Sequence, residues 1–120
     1  MLPKVTKHFA FGYSKIFEQF GETFSITPVG AEKTVDLQGV RTLVSPATAG
    51  EPAKRFSGRI FQITFMYQNF MDTVGRLPQE RDTLCDSTGT RFQVVSIPGH
   101  FRYEYCDPWK IAFNVTVTEC

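Results

Sequence analysis

Apolar and polar residues alternate most strictly between Trp109 and Thr118. Trp109, Ile111, Phe113, Val115 and Val117 hold every second position, with Lys110, Asn114, Thr116 and Thr118 between them. Successive side chains of a strand point to opposite faces, so the pattern predicts a strand with Trp109 to Val117 on one buried face and the polar residues in water. Phe61, Ile63, Phe65 and Tyr67 repeat the alternation with Gln62, Thr64 and Met66 between them, and predict a second strand. Phe24 and Ile26 alternate within Glu22–Val29. Val35, Leu37, Val40, Leu43 and Val44 form a longer strand, in which Gly39 is expected to mark a bulge where the alternation changes phase. Thr83–Cys85, Thr90–Ile97 and Phe101–Tyr105 are further short strands, parted by the turn residues Asp86-Ser87-Thr88-Gly89 and Pro98-Gly99. Phe92 and Val94 share one face of their strand, and Val95 and Ile97 share the other. That strand is therefore either buried on both sides or bulged. Met71–Glu80, with Gly75 and Pro78, reads as the connection that returns the chain.

One segment has a different period. Phe9, Tyr13, Ile16, Phe17 and Phe20 stand at i, i+4, i+7, i+8 and i+11, which predicts an amphipathic helix over residues 8–20 that ends at Gly21. Its apolar stripe is expected to cover one end of the β structure. The alternative use of Phe9, Tyr13 and Phe17 is docking onto another subunit. Ser45–Gly58 fits neither period. It carries Pro46, Pro52, Gly50 and Gly58, three alanines, and Lys54-Arg55-Phe56. Structureless stretches of this length inside compact domains are uncommon, so it is expected to project as an arm. Strands separated by short turns behind one helix predict an all-β fold: a small barrel or sandwich with one N-terminal helix and a long inter-strand loop, forming a single domain over residues 1–120.

Composition narrows the function more than the fold. Thirteen Lys and Arg against twelve Asp and Glu leave a net charge of +1, less basic than a protein held on DNA by phosphate contacts. No apolar run reaches the length of a membrane span, and the first residues lack the apolar core of a secretory signal. Cys85, Cys106 and Cys120 are odd in number and widely spaced, which points to reduced thiols. Paired His and C-x-x-C are absent, so no metal or other cofactor is expected. His100, Cys106 and Asp107 are the nearest approach to a nucleophilic set, but they lie on turns around an aromatic strand and lack a flanking motif. Asp82 and Asp86 flank a three-residue strand and read as turn initiators. Asn114-Val115-Thr116 matches a glycosylation sequon without a secretion signal to expose it. Phe61, Phe65 and Phe92 are explained by core packing rather than by base stacking, and catalysis finds no support.

Two blocks carry a resemblance. The first is Phe20-Gly21-Glu22-Thr23-Phe24-Ser25-Ile26-Thr27 followed by Val35-Asp36-Leu37-Gln38-Gly39-Val40-Arg41. The second is Glu80-Arg81-Asp82-Thr83-Leu84, a turn through Gly89, and Arg91-Phe92-Gln93-Val94-Val95. This strand pair leading to Gly-Val, then R-D-T-L and G-x-x-F-x-V, resembles the head–tail joining proteins of tailed bacteriophages, also called head-completion or stopper proteins. The resemblance spans most of residues 17–118 and departs from the pattern at Phe65–Phe70 and Cys106–Trp109. It implies a structural virion protein, not an enzyme, assembled in the host cytoplasm as a homo-oligomeric ring in the neck. The ring would lie between portal or adaptor proteins on the head side and a tail terminator or tail tube protein on the other. It would touch double-stranded DNA transiently, help retain the genome and involve no membrane. On that reading Glu51, Lys54, Arg55 and Phe56 of the arm face the lumen or a neighbouring subunit. A tail-completion or tail-terminator ring, a small ligand- or oligonucleotide-binding barrel and a small hydrolase dependent on His100 remain as alternatives.

Overall fold

The computed structural model describes residues 12–13, 15–43, 60–97 and 101–119. Residues 12–13 and 15–20 are helical (α1), and the chain continues through β1 (Glu22–Thr27), β2 (Val35–Leu43) and β3 (Ile60–Met66). Helix α2 (Tyr67–Val74) follows, then β4 (Thr83–Cys85), β5 (Arg91–Val94), β6 (Tyr103–Tyr105) and β7 (Ala112–Glu119). All pairings are antiparallel. They close a ring of six strands in the order β1-β2-β3-β7-β5-β4 and back to β1. The seventh strand, β6, is added to the edge of β7 beyond the stretch that β5 occupies. The expected all-β barrel is what forms.

Phenyl rings fill the barrel. Phe24, Phe65, Phe92 and Phe113 are completely buried, with Ile26, Ile63, Val94, Val115 and Val117 around them. Phe24 meets Phe65 and Phe92 edge-on at 6.1 and 6.3 Å, and Phe61 meets Phe92 at 5.7 Å. Edge-to-face contact suits the ring quadrupole, so a phenyl-rich sequence can pack densely around a closed sheet. Phe61, Phe65 and Phe92 are core residues, as their alternation implied.

Several expectations change. The last strand starts at Ala112, not Trp109. Phe113, Val115 and Val117 are buried, but Trp109 is 39 % exposed and Ile111 half-buried, because residues 106–111 form a turn with Lys110 at φ 58°. Nor is the polar face of that strand wet, since Thr116 and Thr118 are buried. Thr116 donates its hydroxyl to Phe101 O at 2.7 Å, which satisfies the polar atom that burial would otherwise leave unpaired. Gly39 is not a bulge. It pairs with Glu22 in unbroken register, and Val40 pairs with Thr64 in the next. A Cβ on Gly39 would lie 2.7 Å from Ile63 Cγ2 and 2.9 Å from a Phe65 ring carbon, so glycine stands where the wall approaches the core. The phase therefore holds along β2, and Arg41, not Val40, points inward. Tyr67 opens a helix instead of closing a strand, and Met71–Val74 belongs to that helix. Tyr67, Phe70, Met71 and Val74 have helical spacing, and Gly75 ends α2 in the left-handed region at φ 90° with its N–H on Met71 O. Phe70 of α2 plugs one mouth of the barrel, 5.4 Å from Phe65 and 5.1 Å from Phe113. The strand after Gly89 is regular to Val94, where it ends with Phe92 and Val94 inward.

Candidate functional site

The alternation that faces Phe24, Leu84 and Phe92 inward also carries charged residues to the barrel ends. Across β4 and the residues that flank it, Asp82, Leu84 and Asp86 fall at every second position and are all buried, with one aspartate at each mouth.

At the mouth where β2 ends and β3 begins, Arg41 lies over the core. Its guanidinium carbon is 5.4, 5.5 and 6.0 Å from the ring centres of Phe92, Phe61 and Phe24. Nη1 reaches Asp86 Oδ2 at 3.1 Å and Nη2 reaches Glu22 Oε1 at 2.8 Å. The other Asp86 oxygen accepts the Thr88 N–H, the Thr88 hydroxyl and the Thr90 N–H at 2.7–2.9 Å, and so shapes the turn into β5. Burial pushes the Asp86 carboxyl up, but these hydrogen bonds and Arg41 outweigh it and hold it below the usual range. A planar cation that satisfies two carboxylates and lies against phenyl faces closes this mouth without leaving a charge unpaired.

At the opposite mouth Asp82 is buried. Its oxygens accept Arg76 Nη2 at 2.8 Å and Nη1 at 2.9 Å, the Val29 N–H at 2.7 Å and the Gln79 N–H at 2.9 Å. Burial again pushes the carboxyl up, and Arg76 with the two backbone donors brings it below its ordinary value. One carboxylate thus ties the β1–β2 turn to the α2–β4 connection. Arg81 beside it adopts φ 76°. Asp86 initiates a turn, as expected, whereas Asp82 ends the Gln79–Asp82 turn, and each is also half of an ion pair that closes the barrel.

A third aspartate fixes α1. Asp107 accepts the N–H groups of Trp109, Ile111 and Ala112 at 2.9–3.2 Å, and Tyr13 donates its hydroxyl to Oδ2 at 3.1 Å. Burial first, then the hydrogen bond and charge of Asp107, push the Tyr13 hydroxyl up to about 12. Tyr13 and Phe17 are half-buried, whereas Ile16 and Phe20 are 45 and 66 % exposed. Phe17, Glu18 and Gly21 border a cleft with the outward-facing Gln38 and Met66. The helix therefore lies along the wall and does not cover an end, which α2 plugs instead. Phe9 lies outside the described residues.

So do Glu51, Lys54, Arg55 and Phe56 of the predicted arm, and His100. What is described is the root of the arm: Leu43 pairs with Phe61, so residues 44–59 leave from the mouth that Arg41, Glu22 and Asp86 close. Cys85 and Cys106 are free thiols, and Cys120 lies outside the described residues. Burial, then the charges of Asp107 and Glu104, push the Cys106 thiol up to about 11. A thiol held protonated at neutral pH is a poor nucleophile, and Asp107 is already occupied by three backbone donors. Among the described residues no three His, Cys, Asp or Glu side chains cluster as metal ligands would, and no helix is long and apolar enough to cross a membrane.

Sequence reasoning missed Arg41, Arg76 and Tyr67. Strict period two from Val35 would have placed Arg41 inside, but the assumed bulge at Gly39 moved it out. Comparison of the chain with protein-family models, with curated proteins and with solved structures gives no significant match in any of the three.

Proposed function

We propose that this chain is a structural virion protein of tailed bacteriophages, a head–tail joining protein of the neck. Copies form a homo-oligomeric ring between the portal or adaptor proteins of the DNA-filled head and the tail terminator or tail tube. The ring helps to retain the packaged genome and touches double-stranded DNA only in passing. The observation that carries this reading is a juxtaposition. The two sequence blocks behind the resemblance lie far apart in the chain, yet they form one continuous wall in the order β2-β1-β4-β5, and the predicted arm leaves from the edge of that wall. A net charge of +1 suits a channel wall along which DNA slides without being gripped. The packed phenyl interior weighs against a barrel that holds a small ligand inside, and the burial of Phe61, Phe65 and Phe92 weighs against an oligonucleotide-stacking face.

In a ring of one chain, each subunit offers two different surfaces to its neighbours, and the rotation between them closes. The arm, with Glu51, Lys54, Arg55 and Phe56, faces the lumen or the next subunit. Light scattering with electron microscopy of the purified chain and of its parent particle tests the reading. Rings at the head–tail junction of DNA-filled heads are expected; rings carried instead on the head-proximal end of detached tails would move the protein to the tail-terminator class. A chain that stays monomeric and is absent from the particle overturns both. Deleting residues 47–57 removes none of the described strands. The shortened chain should remain folded and should give particles that leak DNA or fail to join tails.

A further inference from the structure

Closure gives each of the six strands a neighbour on both sides, although β1 and β2 each extend past one of them, and among the described residues β6 is the one strand with a whole edge unpaired. The hydrogen-bond phase says which groups it offers. Thr116 N–H donates to Arg102 O and Cys106 N–H donates to Ala112 O, on either side of the Glu104–Asn114 pair. Residues 102, 104 and 106 therefore turn their backbone groups toward β7, and the N–H and C=O of Tyr103 and Tyr105 point away from it. No strand among the described residues meets them. The side chains beside this edge pack against one another. Tyr103 and Tyr105 pack edge-on at 6.0 Å and both contact Phe113, Tyr67 lies 5.9 Å from Tyr105, and Arg102 and Lys110 sit over the Tyr103 and Tyr105 rings. Glu104, between the tyrosines on the opposite face, is the only charged side chain of the strand.

We propose that β6 is a docking edge for an extended strand of a partner protein, which adds antiparallel beside Tyr103–Tyr105 and sets a basic residue opposite Glu104. Unpaired backbone donors and acceptors in strand geometry are complemented by another strand, with side chains on the two faces supplying the selectivity. Directly opposed side chains of an added strand interact most strongly, so Glu104 favours Lys or Arg, and the flanking tyrosines favour β-branched neighbours. A second copy is a poor donor. Each of its other described strands has a neighbour on both sides, and antiparallel β6 against β6 sets Glu104 against Glu104. The inference does not depend on the neck reading, since it concerns the isolated chain and a peptide.

The test is titration of the full ¹⁵N-labelled chain, at millimolar concentration, with acetyl-Thr-Val-Lys-Val-Thr-amide. Two controls accompany it: the same peptide with Glu for Lys, and the Lys peptide with both valine nitrogens methylated. The Lys peptide should shift the Tyr103 and Tyr105 amide resonances and slow their hydrogen exchange by about tenfold. The methylated peptide should do neither, and the Glu peptide should bind more weakly. In the Glu104→Lys variant the preference should reverse, which a merely structural role for Glu104 would not produce. Equal binding of the methylated peptide, no preference between Lys and Glu, or no shift at all overturns the proposal and leaves β6 as a short, blunted edge. Concentration-dependent dimers that shift the same amides without peptide would assign the edge to a second copy and overturn the partner assignment.

Discussion

Replacing Asp82 by alanine tests how the barrel is closed. The carboxylate is buried and accepts four hydrogen bonds, two from Arg76 and one each from the Val29 and Gln79 backbone. Removing one partner of a buried ion pair typically costs about 3–5 kcal/mol, because the remaining charge is left without its counterpart. Arg76 is 29 % exposed and regains part of its hydration, which lowers the cost; the two orphaned N–H groups raise it again. Asp82→Ala should therefore cost about 3 kcal/mol. Asp82→Asn keeps an acceptor oxygen but offers an NH₂ to Arg76, and should cost about 2 kcal/mol. Urea unfolding followed by far-ultraviolet circular dichroism measures both, with an unchanged slope expected because the surface exposed on unfolding is the same.

The same carboxylate predicts a pH dependence. Its folded pKa lies below the ordinary 3.8, so the folded state holds its proton less tightly than the unfolded state does. Stability from this source is fully present above that value and is lost as pH falls through the folded one. Asp86 and Asp107 are lowered in the same direction, so Asp82→Asn should make the acid limb of the stability curve shallower without abolishing it. A cost below about 1 kcal/mol for the alanine variant, or an unaltered acid limb for the asparagine variant, would refute the view that this pair closes the mouth.

Two further outcomes follow from the wall and from α1. Gly39→Ala should destabilise by about 1–3 kcal/mol in urea unfolding, because its Cβ meets Ile63 and Phe65; a neutral result would mean that the inward placement of residue 39 is wrong. Tyr13 has its hydroxyl raised from 10.0 to about 12, so the docking it supplies is complete below pH 10 and is lost as pH rises toward 12. The protection of the α1 amides, taken relative to unstructured peptide at the same pH, should fall over that interval in the wild type. Tyr13→Phe should show the lower protection below pH 10, with the difference vanishing toward pH 12.

How legible the chain was depended on whether a segment's pattern had one cause or two. Strands β1, β3 and β7 could be read because their apolar residues answer to the core alone. The end of β3 could not, because Tyr67 continues a period of two and also begins a period of 3.6 with Phe70, Met71 and Val74. Thr116 and Thr118 look like a solvent face, yet both are buried, and the segment before β6 reaches over Thr116, whose hydroxyl meets Phe101 O. Such cover comes from residues remote in sequence and leaves no local mark. Asp82 and Asp86 were visible as turn formers, but their partners Arg76 and Arg41 were not. Pairing across the barrel depends on which face Arg41 occupies, and that was settled by a single glycine.

Closure also limits where function can lie. A closed ring of six strands leaves little edge for assembly, and its interior is filled by packed phenyl rings. Its two mouths are held by ion pairs, Arg76 with Asp82 at one and Arg41 between Asp86 and Glu22 at the other. Each device that stabilises the barrel therefore removes a surface from use. What remains is what closure did not need: α1 with Ile16 and Phe20 exposed on the wall, the root at Leu43 and Ile60, and the short edge of β6. The root lies at one end of the barrel, whereas α1 and β6 both adjoin the Asp107 turn toward the other. On the proposed joining role the two ends of the barrel meet unlike neighbours, as a subunit held between different proteins requires.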